Sequence, residues 1–158
     1  MSMQNVINYL SSKNIPFTVR EHMPAFSAQE VAAKAHISGR RVAKTVIVKI
    51  DGQLSICVIP AVEQVNLSLL RQVSCSTRAE IAREEEFFGY FTDFEPGVMP
   101  PFGNLFGMKV YLSESLNQPL PVAFSSGSSS RLLEISWEDF NKLVNPVLIT
   151  GRQREAIG

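Results

Sequence analysis

Thr45-Val46-Ile47-Val48-Lys49-Ile50 and Gln53-Leu54-Ser55-Ile56-Cys57-Val58-Ile59 are two runs rich in β-branched residues, parted only by Asp51-Gly52. That dipeptide suits a type I′ turn, whose two central residues both need positive φ, so the stretch reads as a β-hairpin. Pro60 ends its second strand because it has no N–H to give to a ladder. Upstream, Ser27-Ala28-Gln29-Glu30 is a capping box, with Ala28, Val31, Ala32 and Ala35 following on one side; this helix should stop before Gly39. Further upstream, Phe17 and Val19 alternate with Thr18 and Arg20 as a short strand. Met3, Val6, Ile7 and Leu10 mark one face of an opening helix that ends near Ser12.

Downstream of the hairpin, Asn66 to Arg71 reads as a short helix, and Thr77-Arg78-Ala79-Glu80 as a second capping box opening another. Residues 94–107 hold three of the nine prolines and three of the nine glycines and read as a shaped loop. Lys109 to Leu112, Val122 to Phe124 and Leu132 to Ile135 are further short strands, and Ser136-Trp137-Glu138-Asp139 opens a last helix through Val144. Strands and helices mix without a βαβ rhythm. The expected fold class is therefore α+β: one domain with a mixed, largely antiparallel, barrel-like sheet and surrounding helices. It should occupy 1–151, with 152–158 as a solvated tail.

The bulk numbers agree with one soluble domain. The chain has 158 residues, 45% of them apolar and 19% charged, enough for a sizeable core. No apolar run approaches the roughly 20 residues that span a bilayer. The start lacks a basic region followed by an apolar stretch, so no secretion signal and no membrane partner are expected, and the expected compartment is the cytoplasm. Cys57 and Cys75 form no C-x-x-C, which disfavours metal or dithiol chemistry. Cys57, in a strand-like run, reads as a small buried hydrophobe. Fifteen basic and fifteen acidic residues cancel, against a whole-surface nucleic-acid binder. The zero is unevenly distributed, however. Lys34, Arg40, Arg41, Lys44 and Lys49 fall in 31–50 with no acid, whereas Glu84, Glu85, Glu86, Asp93 and Glu95 fall in 84–108 with no base. These are either two oppositely charged faces in water or a phosphate-facing rim beside Lys44, able to grip only the end of a nucleic acid.

Three features could carry chemistry. Lys44 shares a strand face with Val46, Val48 and Ile50, so it must reach solvent at the strand end, lower its pKa or meet an anion. Gly97-Val98-Met99-Pro100-Pro101-Phe102-Gly103 is either a plain surface turn or a rigid cradle of backbone N–H groups. Phe124-Ser125-Ser126-Gly127-Ser128-Ser129-Ser130 is either a hairpin loop or part of a site. Ser126-Gly127-Ser128 does not fit the G-x-S-x-G elbow, and the two histidines, His22 and His36, sit at element ends where capping or surface roles are ordinary. A serine-hydrolase triad is unsupported.

In chain order these segments resemble the YbaK-type family: free-standing aminoacyl-tRNA deacylases related to the editing domain inserted in bacterial prolyl-tRNA synthetases. Glu21-His22-Met23-Pro24-Ala25-Phe26-Ser27-Ala28-Gln29-Glu30-Val31-Ala32 resembles the family's His-containing lead-in to its second helix. Val42-Ala43-Lys44-Thr45-Val46-Ile47-Val48-Lys49 resembles its lysine-bearing strand. Gly97 to Pro101 satisfies its G-x-x-x-P loop, with Phe102-Gly103 continuing it, and Gly127 falls where a small-residue–glycine turn precedes the last core strand. The matches run from about residue 3 to 145. Many members have a histidine shortly after that glycine; here Ser128, Ser129 and Ser130 follow.

The resemblance implies a hydrolase acting on the ester between a small amino acid and the 3′ end of tRNA, tRNA(Pro) being one candidate, without cofactor or metal. It implies catalytic roles for Lys44, Gly97 and Gly127, and substrate-binding roles for His22, Thr45, Pro101, Phe102, Ser126 and Ser128. Its partners would be aminoacyl-tRNA and prolyl-tRNA synthetase. The alternative is a non-catalytic module of the same fold that binds aminoacyl-tRNA or a synthetase.

Overall fold

The computed structural model describes residues 3–92 and 99–150. Its first helix, α1 (Met3–Ser12), buries Met3, Val6 and Leu10, one per turn of a single stripe. The strand β1 (Thr18–Glu21) is an edge, and Val19 is 40% exposed rather than inward-facing. The helix α2 (Ala28–Ala35) starts as the capping box requires, with Ser27 Oγ accepting from Glu30 N at 3.2 Å. It ends at His36, which takes the left-handed conformation expected of Gly39. Gly39 serves packing instead: a Cβ there would sit 2.7 Å from Val62 Cγ1.

The hairpin is formed by β2 (Val42–Ile50) and β3 (Gln53–Pro60), with Asp51 at φ 48° and Gly52 at φ 85° in the turn. The turn fixes the register, so Ile50 faces Gln53 and Lys44 faces Ile59. Next comes α3 (Leu67–Ser74), capped by Asn66 and closed by a left-handed Cys75. The helix expected from Thr77 is absent. Ala79–Ile81 is a strand, β4, antiparallel to the end of β2. The Asp51 carboxylate accepts from Thr77 N and Arg78 N, and Asp51 N donates to Arg78 O, so the hairpin turn captures this segment as a strand before Thr77 can cap. A helix follows only at α4 (Glu84–Phe87), with Arg83 as its cap.

Residues 103–105 form a single 3-10 turn within the expected loop. Then follow β5 (Lys109–Ser113), β6 (Val122–Ser125), β7 (Arg131–Ile135), α5 (Trp137–Val144) and β8 (Val147–Ile149). Strand β8, too short to show a pattern, was not legible in the sequence. The eight strands form one mixed sheet in the order β1-β7-β6-β2-β3-β5-β8, with β4 also on β2. It does not close; β1 and β8 are its two ends. The expected α+β architecture with a mixed sheet is present.

The sheet separates two helical layers. On one face α1 and α5 cover the main core, which includes Ile47, Ile56, Val58, Val110, Phe124 and Phe140. On the other, α2 packs over Val42, Ala123 and Leu132, whereas α3 packs over Val48, Ile50, Cys57 and Ile59. Strand alternation sends Val42, Lys44, Val46 and Val48 to this second face. Lys44 therefore lies between two apolar clusters, where the cover passes from α2 to α3.

Candidate functional site

Lys44 is half-buried, and its Nζ donates to the Glu63 carbonyl oxygen at 2.5 Å. Burial lowers its pKa below the ordinary lysine value, with the charge of Glu63 acting against that shift. Beneath it Cys57 is 1% exposed, and burial pushes its thiol up to about 12. That sulfur is an inert hydrophobe.

Glu63 was not anticipated. It lies just past the end of β3, where Glu63 N donates to Pro60 O. Burial pushes its carboxyl up, opposed by hydrogen bonding from Ser115 and by the charges of Arg40 and Lys44. Its Oε1 is buried with no hydrogen-bond partner among the described residues. The hairpin register pairs Lys44 with Ile59, so an acid four residues on was the signal that could have found it.

On the other side of Lys44 lies the turn between β6 and β7. Val42 pairs with Ala123 and both contact the α2 cluster, so Ser125, two residues on, shares the Lys44 face. Ser126 is fully buried and its Oγ has no partner among the described residues. Gly127 has φ 96°, which an L side chain rarely adopts. Ser128 Oγ accepts from Ser130 N at 3.2 Å, which stiffens the loop. Ser129 O accepts from Ala25 N and Ser130 O from His22 N, so the lead-in to α2 is tied to this turn. His22 Nδ1 lies 2.7 Å from Met23 O, and Nε2 is buried without a partner.

The remaining sequence-derived candidates lie elsewhere. Thr45 is half-buried and points to the opposite face, facing Val58 across the hairpin. Its backbone falls in a gap on the far edge of β2, where pairing with β6 ends at Ala43 and pairing with β4 begins at Val48. Pro101 is buried, and its carbonyl accepts from Gly103 N at 3.1 Å. Phe102 is fully buried in the main core, its ring 5.2 Å from Phe124 and 5.7 Å from Phe140. An aromatic so enclosed supports the loop from below and presents no free face. Gly97 lies outside the described residues.

The charge division also takes a different form in three dimensions. Arg41 is buried, its Nη1 2.7 Å from Glu134 Oε2 and 2.9 Å from Pro121 O, while Arg20 bonds the other oxygen of Glu134. Lys49 Nζ lies 2.6 Å from Glu86 Oε2 and 3.7 Å from Glu80 Oε1. Two of the five basic residues are thus paired with acids, Arg41 in the interior and Lys49 at the surface. Lys34 and Arg40 stay exposed, leaving a smaller rim than the sequence suggests.

A family model described as an aminoacyl-tRNA editing domain matches residues 22–143. No curated protein sequence matches the chain. Among solved structures, the hypothetical protein APE2540 superimposes with a TM-score of 0.80 at 20% identity, over 90% of this chain and 95% of its own. A candidate trans-editing enzyme for prolyl tRNA synthetase gives 0.75 at 17% identity, over 92% of each chain. A candidate signal transduction protein from Marinobacter aquaeolei VT8 gives 0.71 at 14% identity, over 90% of this chain but 29% of that one. At these identities the likeness to solved structures establishes the fold.

Proposed function

The chain belongs to the aminoacyl-tRNA editing domain family, and from that premise we propose that it is a trans-editing deacylase that removes a small, wrongly attached amino acid from tRNA, with tRNA(Pro) among its substrates. The observation that carries this reading is the Lys44 ammonium, half-buried between two apolar clusters beside a glycine turn. A cation so placed offers the terminal phosphate, or the polar end of the acyl group, a charge that little water screens.

In this reading backbone N–H groups near Gly97 and Gly127 donate to the ester carbonyl oxygen as it gains charge in the tetrahedral transition state. Water supplies the nucleophilic oxygen. Its new bond to the carbonyl carbon forms as the π electrons move to the oxygen, and collapse then breaks the bond to the ribose oxygen. That oxygen leaves with the proton the water gives up, so no side chain need be consumed. The neighbouring ribose hydroxyl, carried by the substrate, relays the proton. His22, Ser126 and Ser128 would shape the pocket on the Lys44 face, while Thr45 on the opposite face and Phe102 in the main core would support it from beneath, with Pro101 holding the loop. Prolyl-tRNA synthetase is the partner that would share its tRNA, and the work would be done in the cytoplasm. Among the described residues no helix is long and apolar enough to cross a membrane.

The test is a deacylation panel of mischarged tRNAs, Ala- and Cys-tRNA(Pro) included. Hydrolysis of at least one is expected; if none is cleaved, the reading fails. The serines at 128–130, where many relatives carry a histidine, favour the non-catalytic alternative, which binding of charged tRNA without turnover would establish.

A further inference from the structure

Among the described residues three buried side-chain atoms lack a hydrogen-bond partner: His22 Nε2, Glu63 Oε1 and Ser126 Oγ. A buried polar atom is costly to leave unpaired, so each invites a partner. His22 is the most sharply defined of the three, because a neighbour fixes its tautomer. Nδ1 lies 2.7 Å from the Met23 carbonyl oxygen. A carbonyl only accepts, so Nδ1 carries the hydrogen, and in the neutral ring Nε2 is left as a bare acceptor.

Its position adds to this. His22 extends the pairing of β1 with β7 by one step, its N–H donating to Ser130 O. Two residues earlier Arg20 faces Leu132, which belongs to the α2 cluster, so strand alternation brings His22 to the face that carries Lys44. Three strand spacings separate them, about 15 Å between backbones, with the Gly127 turn between. Side chains reaching inward from both ends would bracket a nucleoside bearing an acyl group.

We propose that His22 Nε2 accepts a hydrogen bond from the free ribose hydroxyl adjacent to the esterified one, and so turns that hydroxyl's lone pair toward the attacking water. This inference rests on the site being one for the 3′ end of aminoacyl-tRNA. A neutral acceptor fits a hydroxyl; an α-ammonium group would be matched better by the Glu63 carboxylate. Before reaction the hydroxyl donates to the ring and accepts from the water, which satisfies Nε2. As the water attacks, its proton passes to this hydroxyl oxygen and the hydroxyl's own hydrogen swings from Nε2 to the leaving ribose oxygen, so the ring ends as it began.

The experiment uses a stable amide mimic, 3′-alanylamido-3′-deoxyadenosine, with and without its 2′-hydroxyl, and calorimetric affinities for three proteins. Wild type should prefer the hydroxyl-bearing mimic by about tenfold, the scale of one charge-free hydrogen bond. His22→Asn keeps a donor for Met23 O but has no acceptor at the Nε2 position, so the preference should vanish. His22→Gln restores an acceptor there, and the preference should return. An unchanged preference in His22→Asn would overturn the proposal, as would an equal loss of affinity for both mimics. If wild type shows the expected pattern yet cleaves no mischarged tRNA, catalysis fails and the hydroxyl contact stands. If wild type binds neither mimic, both fall.

Discussion

At Lys44 a strand's alternation and an ion's need for solvation conflict, and the structure resolves the conflict with one backbone carbonyl, that of Glu63. One acceptor among the described residues leaves two N–H donors of the ammonium for a ligand. Lys44→Ala should therefore lower deacylation at least about a hundredfold, the scale of one electrostatic contact to a transition state. Its urea unfolding midpoint should stay near wild type, since burial already disfavours the charge. The depressed pKa also sets a pH signature. The charged form persists below that pKa and disappears above it, so the Lys44-dependent rate should be flat on the acid side. It should fall as pH rises, sooner than for an exposed lysine. Initial rates corrected for spontaneous ester hydrolysis would show this, and the residual rate of Lys44→Arg should lack the alkaline fall, because guanidinium stays charged. Parity singled out this lysine in the sequence, and the resemblance of its strand to the family's lysine-bearing one suggested its role. Its partner was not legible, because Glu63 lies beyond a proline that ends the strand; nor does composition signal that Glu134 claims the nearby Arg41.

Elements were legible wherever local chemistry and tertiary pairing agreed. The Asp51-Gly52 turn, the Ser27 cap and the Ser136 cap each form as the sequence suggests. Thr77–Glu80 is the instructive failure: a sound capping box lost to a neighbouring carboxylate and a free strand edge. The left-handed end of α2 at His36 shows the same competition, since Gly39 was needed for contact with Val62. Gly127→Ala should destabilise by about 1–3 kcal/mol, the cost of forcing a Cβ into that backbone region, read as a lowered unfolding midpoint. Between β2 and α4, the Lys49 ammonium and the Arg83 N–H hold the Glu86 carboxyl at about 2. A carboxyl held below its unfolded value of 4.5 contributes stability that is present above pH 4.5 and lost as pH falls toward 2. Urea midpoints across that window should decline in wild type and less steeply in Glu86→Gln.

Across the whole molecule, one ion cluster joins parts distant in sequence: Arg20 on β1, Arg41 before β2 and Glu134 on β7. Glu134→Ala would strand the Arg41 charge in a buried place, at about 3–5 kcal/mol, whereas the double variant Arg41→Met, Glu134→Leu should cost less. Chemical denaturation of the three proteins would show it, with the single variant the weakest. The two-layer cover over the sheet was legible as a class but not as an arrangement. The sequence does not say that α2 and α3 share a face, since that follows from the order β6-β2-β3, set by crossovers spanning most of the chain. Strand β2, which bears Lys44, is paired to β3, β4 and β6. Hydrogen exchange at the β2 amides that pair with β3 should report only global unfolding. The cation thus stands on a strand held by three neighbours, whereas turn 126–130 rests on Gly127 and on its backbone ties to the segment before α2. In the proposed reading, the charge keeps one address set by the hairpin register, and the turn facing it is the part whose change would alter which acyl group fits.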